Sequence, residues 1–193
     1  FDAVMVLWYP GSQGGKAAAK ILFGENSPSG KLPVTFYESL EELPEFTDYS
    51  MKGRTYRYME GKAQFPFGYG LTYSNVKVEN AEVRQCGRQI TVEAEVYNKG
   101  NADTEEVVQI YVKNLDSKNA ILNPALGGFQ RIFIKAGERR KVMVPVWEKA
   151  FTVVDENGES FKDYTYPDVK IDESSLEEGT TTVHLTLTGD ERL

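Results

Sequence analysis

Only one cysteine, Cys86, and one histidine, His184, occur in the 193 residues. A single thiol excludes an internal disulfide and leaves the redox compartment open. With one imidazole and one thiol, neither a structural zinc site nor a Ser-His-Asp triad around His184 is expected. His184 stands in the alternating run TVHLTLTG, which predicts an outward-facing strand residue. Positive charge is also scarce. Lys and Arg number 22 against 29 Asp and Glu, a net charge of −7, and no basic patch occurs. Nucleic acid is therefore not an expected partner, because phosphate neutralisation needs clustered cations. No apolar run approaches the roughly 20 residues of a spanning helix, so no membrane partner is expected either. What is present is a folding composition, 40% hydrophobic and 26% charged, suited to one or two packed domains.

The chain opens FDAVMVLWYPGSQGGKAAAKILFG, a strand-like run, a glycine-rich turn and an alanine-rich helix. A phosphate-binding loop would need glycine where Pro10 stands and Ser or Thr where Ala17 stands. Gly11, Gly14 and Gly15 do not have dinucleotide spacing either. The pattern instead predicts a strand over Ala3–Tyr9, a sharp turn, and a helix from near Gln13 capped by Ser12 and stopped by Gly24. Such a turn lies at the carboxyl end of a strand, where open α/β sheets hold ligands. A strand buried on both faces needs neighbours. The expectation is that residues 1–48 end an α/β domain cut from a longer protein, or completed by another chain.

GENSPSGKLPVTFY predicts a turn and a short strand, Leu32–Tyr37. Residues 49–75 lack periodicity and are rich in Tyr, Phe, Pro and Gly, which predicts a linker wrapped on a surface. From 76 to 193 the pattern becomes β. Ile90, Val92, Ala94 and Val96 alternate with polar residues, as do Val108, Ile110 and Val112, and Val142, Val144 and Val146. A strand–turn–strand is expected around Ala136-Gly137-Glu138, and an Asn-Gly hairpin between Val154 and Phe161. Six or seven short strands in this span predict an immunoglobulin-like β-sandwich of the fibronectin type.

WYPGSQGGKAAAKILFGENSPSGKLPVTF resembles the last strand–helix–strand of the second domain of family 3 glycoside hydrolases. GRTYRYMEGKAQFPFGYGLTYSNV resembles that family's linker. NKGNADTEEVVQIYV through GGFQRIFIKAGE resembles its fibronectin type III-like domain. The resemblance runs over roughly residues 1–155, with a flavour of the β-xylosidase and β-glucosidase branches. Gln13 stands where the family commonly has a non-catalytic Glu, and residues 160–193 are only loosely similar.

The resemblance implies a retaining mechanism with an Asp nucleophile in an N-terminal barrel domain and a Glu acid/base upstream of Phe1. No catalytic residue is therefore expected within the chain, and no cofactor or metal. The implied partners are an oligosaccharide or glycoside substrate and the barrel domain. Asp48, Glu60, Asp155 and Glu156 are the internal carboxylates worth testing, with Glu41 and Glu42 in an exposed stretch; nothing in their spacing sets two across one pocket. Trp8, Tyr9, Arg54 and Tyr56 are the candidate substrate contacts, with Arg57 and Tyr58 beside them. Packing between domains is the competing role for the aromatics. A fibronectin-like carbohydrate- or protein-binding module is the alternative function.

Overall fold

The computed structural model describes residues 2–115, 117–162, 168–171 and 182–188. Most of them build a β-sandwich. Strands β1 (Val76–Cys86), β2 (Gln89–Asn98), β3 (Thr104–Asn114), β4 (Ala125–Ile134) and β5 (Arg139–Val146) are followed by a short hairpin, β6 (Val153–Val154) and β7 (Ser160–Phe161). β8 (Asp168–Ile171) and β9 (Thr182–Thr188) close the series. One sheet has the order β1-β2-β5 and the other β4-β3-β9-β8.

The alternating residues form the layer between the sheets. Ile90, Val92, Ala94 and Val96 of β2 face Val142, Val144 and Val146 of β5 along an antiparallel register. Both sets are buried with Val108, Ile110, Val112, Ile132, Ile134 and Leu185. The β-branched side chains suit the pleat and fill it without a bridging disulfide. The turn at Ala136-Gly137-Glu138 is present, with Gly137 at φ +71°. The strands it joins are not a hairpin, however. β4 pairs with β3 and β5 pairs with β2, so this turn carries the chain from one sheet to the other. Gly128 lets β4 lie close against β5 of the other sheet, because a Cβ there would strike the Pro145 carbonyl. The Asn-Gly hairpin forms, with Val153 opposite Phe161 and Gly158 at φ +82°. β9 lies parallel to β3 and sets His184 opposite Tyr111. The outward orientation expected for the His184 side chain lies outside the described residues.

The first 48 residues depart from expectation in three places. Ala3–Tyr9 forms no strand, and Val4, Met5, Val6 and Leu7 are exposed. A strand exists only by pairing, and no described strand lies beside this run. Helix α1 spans Gly14–Leu22, but Ser12 makes no capping hydrogen bond; Gln13 holds the N-cap position. The turn is tight, with Gly14 N–H donating to the Gly11 carbonyl at 2.9 Å, and it moves Ser12 one place too early. Gly24, at φ +75°, ends the helix as expected. The strand expected at Leu32–Tyr37 reduces to one antiparallel bridge, Phe36 to Phe65. A one-turn helix, α2 (Thr55–Tyr58), interrupts the linker. Among the described residues no helix is long and apolar enough to cross a membrane.

Candidate functional site

The turn before α1 exposes aromatics. Tyr9 is 99% exposed and Trp8 52%, and Trp8 holds φ +52°, an uncommon angle for a bulky residue. Gly14 is required, because a Cβ would enter the Pro10 ring. Trp8 and Tyr9 thus point away from the packed parts of the chain at the start of the helix.

Arg54 and Tyr56 sit elsewhere, on the linker. The Arg54 guanidinium donates to the Ser50 carbonyl at 3.1 Å, to Glu45 at 3.0 Å and to Asp48 at 2.5 Å. It therefore closes the loop 45–54 around a cation whose N–H groups are met by three backbone carbonyls. Tyr56 stacks on Phe67, with ring centroids 4.1 Å apart and planes 13° apart, and meets Tyr111 edge-on at 6.2 Å. Its hydroxyl accepts the Leu126 N–H at 3.0 Å. Burial pushes the Tyr111 phenol above its usual range, and that hydroxyl donates to Gln109 Oε1 at 3.0 Å. Asn123 completes the fastening by donating to the Tyr56 and Met59 carbonyls, both at 2.8 Å. The aromatic linker is thus docked on the β3–β4 sheet.

Two of the internal carboxylates, Asp48 and Asp155, are each held by hydrogen bonds of their own turns. Asp48 accepts the Ser50 backbone N–H, which holds its carboxyl below the ordinary value. Asp155 is held low in the same way, first by the Glu159 N–H in the hairpin turn. A general acid needs its pKa raised instead. A shallow depression of about 250 Å³ on the other sheet is lined by Glu82, Glu93, Glu95, Arg84 and Lys141, with Asn80 and Ala94. Its acids are neutralised: Arg84 meets Glu93 at 2.6 Å and Lys141 meets it at 3.2 Å, and the Arg84 hydrogen bond leads in lowering the Glu93 pKa. No group of three or more His, Cys, Asp or Glu side chains among the described residues is arranged to hold a metal ion.

A further set of polar residues escaped the sequence reading. Ser27, Thr72 and Thr104 form a ring of hydroxyls, at 2.7 Å between Ser27 and Thr72, 2.6 Å between Thr72 and Thr104, and 2.8 Å between Thr104 and Ser27. Lys31 pairs with Glu106 at 2.7 Å. Arg131 donates to Ser29 at 3.0 Å and also pairs with Glu105. Asn98, fully buried, donates to the Ala102 carbonyl at 2.9 Å. One signal was available. Glu106 falls in register with Val108, Ile110 and Val112, so a charged side chain occupied a position patterned for burial.

Residues 1–73 match the family model described as glycosyl hydrolase family 3 C-terminal domain, and residues 106–188 match a fibronectin type III-like domain. The chain belongs to glycoside hydrolase family 3. It is 47% identical over 139 residues to a protein of Xylanibacter ruminicola named xylan 1,4-beta-xylosidase, covering 71% of this chain and 16% of that one. It is 33% identical over 162 residues to a periplasmic beta-glucosidase of Salmonella typhimurium, covering 75% of this chain and 21% of that protein. A solved beta-glucosidase from Streptomyces venezuelae, in complex with D-glucose, superposes with a TM-score of 0.70 at 27% identity, over 81% of this chain and 23% of that one. The chain therefore spans about a fifth of these family 3 relatives. Its fold is the end of the family's α/β layer followed by the β-sandwich.

Proposed function

We propose that this chain is the C-terminal part of a retaining β-glycosidase that removes terminal β-linked glucose or xylose from oligosaccharides. The observation carrying this reading is the order of the two matched domains, joined by a docked aromatic linker, in a chain similar to enzymes named β-xylosidase and β-glucosidase. We divide the chain into residues 1–48, the end of the α/β domain, 49–75, the linker, and 76–193, the sandwich. The nucleophile and the acid/base belong to a barrel domain and to the earlier part of the α/β domain, outside these residues.

Within the chain, Trp8 and Tyr9 are the proposed direct contacts for a sugar. They are exposed, and an aromatic face suits the C–H surface of a pyranose. Arg54 and Tyr56 serve the substrate through the linker, whose loop and ring stack they hold. A binding module is the less favoured alternative, because a free module has no need of a helix and linker fastened to its sheet. The test is hydrolysis of nitrophenyl β-xyloside and β-glucoside by the chain and by the full-length gene product. Activity in the full-length protein alone is expected. Turnover by the 193 residues themselves would overturn the assignment of the catalytic pair.

A further inference from the structure

Helix α1 has only one buried residue, Ala18, so apolar packing does little to place it. Polar contacts reach it instead. The Tyr73 hydroxyl donates to the Ile21 carbonyl in its last turn at 2.8 Å. Nine residues after the helix ends, the Lys31 ammonium bridges two parts of the protein: it donates to the Gly70 carbonyl of the linker at 2.7 Å and pairs with Glu106 of β3 at 2.7 Å. The pair is enclosed, the Glu106 side chain being 2% exposed and that of Lys31 13%. Gly70 packs so closely on the Gly30 carbonyl that no side chain fits between them. A buried ion pair adds little stability over apolar residues of the same size, but it demands one geometry.

We propose that Glu106 is a positioning residue: through Lys31 it sets where helix α1, and the Trp8–Gln13 turn that opens it, stand relative to the β-sandwich. The functional half of this inference rests on the glycosidase reading above. The sandwich then acts on the substrate side without touching substrate, by holding the segment that carries Trp8 and Tyr9.

The experiment uses the full-length gene product with the paired substitution K31M/E106L, which replaces the ion pair by apolar side chains. Hydrogen exchange reads the helix and nitrophenyl β-glycoside kinetics read the site. Amides of Gly14–Leu22 are expected to exchange about tenfold faster, with β2 and β5, which carry neither substitution, unchanged. The value of kcat/KM is expected to fall about tenfold at temperatures where both proteins are fully folded. Exchange of α1 within about twofold of the original protein overturns the proposal. So does faster exchange with unchanged kcat/KM. If the double variant does not fold, the nearly isosteric E106Q takes its place under the same criteria, with a smaller effect expected. An unsubstituted full-length protein inactive on both glycosides sinks the glycosidase reading alone, because exchange reports on the helix without substrate.

Discussion

The ring of Tyr56 lies flat on that of Phe67, 4.1 Å between centroids, while its hydroxyl accepts the backbone N–H of Leu126 in β4 at 3.0 Å. One side chain thus ties both ends of the linker to the sandwich. Tyr56→Phe should keep the stack and lose about 1 kcal/mol, by leaving that N–H without its partner. Tyr56→Ala should lose about 3 kcal/mol through the missing ring contacts. Urea unfolding of the two variants checks the order. Equal losses would mean the stack contributes nothing.

Two linker glycines are fixed by contact rather than by chain flexibility. A Cβ on Gly68, which holds φ +81°, would meet the Tyr111 hydroxyl and Gln109; a Cβ on Gly70 would meet the Gly30 carbonyl. Gly68→Ala and Gly70→Ala should each cost more than about 2 kcal/mol. Gly61 has open space around it, so Gly61→Ala should be near neutral. Thermal unfolding of the three variants separates the cases.

Arg54 holds loop carbonyls, so its removal should act locally. Arg54→Ala is expected to make residues 45–54 a preferred cleavage site in limited proteolysis. Global stability should change by less than about 1 kcal/mol, since the sandwich core is untouched. Cleavage unchanged from the original protein would show that the loop is held by something else.

Acid should weaken the outer face of the β1-β2-β5 sheet. Hydrogen bonds from Lys99 and then Arg139 lower the Glu79 pKa from 4.5 to about 2. A carboxylate with a depressed folded pKa contributes stability above its unfolded value and loses it as pH falls through the folded one. The loss attributable to Glu79 therefore falls between pH 4.5 and about 2. Glu79→Gln should flatten the stability curve in that window and leave its slope above pH 5 unchanged, as read by urea midpoints across pH. High salt should shrink the difference, because the pairs are exposed.

The alternating valines and isoleucines of β2, β3 and β5 made the sandwich legible, because a period of two has one buried face whatever the topology. The turn at Gly137, the hairpin at Asn157-Gly158 and the helix stop at Gly24 were legible too, since each depends on backbone angles that few residues adopt. Which strands pair was not legible: the Gly137 turn looks like a hairpin, and only packing shows it crossing between sheets. The strand expected over Ala3–Tyr9 shows the same limit from the other side. Its residues have the composition of a buried strand, yet a strand is a relation between two segments.

The candidate site divides along the same line. Sequence alone determined that the glycine turn lacks the spacing of a phosphate cradle and that Trp8 and Tyr9 stand at the turn that opens a helix. These follow from residue identity and local spacing. Tertiary structure decided that Arg54 serves its own loop, that Tyr56 joins a ring stack, and that Lys31 meets Glu106 across 75 residues of chain. Long-range partners of polar side chains leave no periodic trace, because one correct distance satisfies them and any spacing in sequence can supply it.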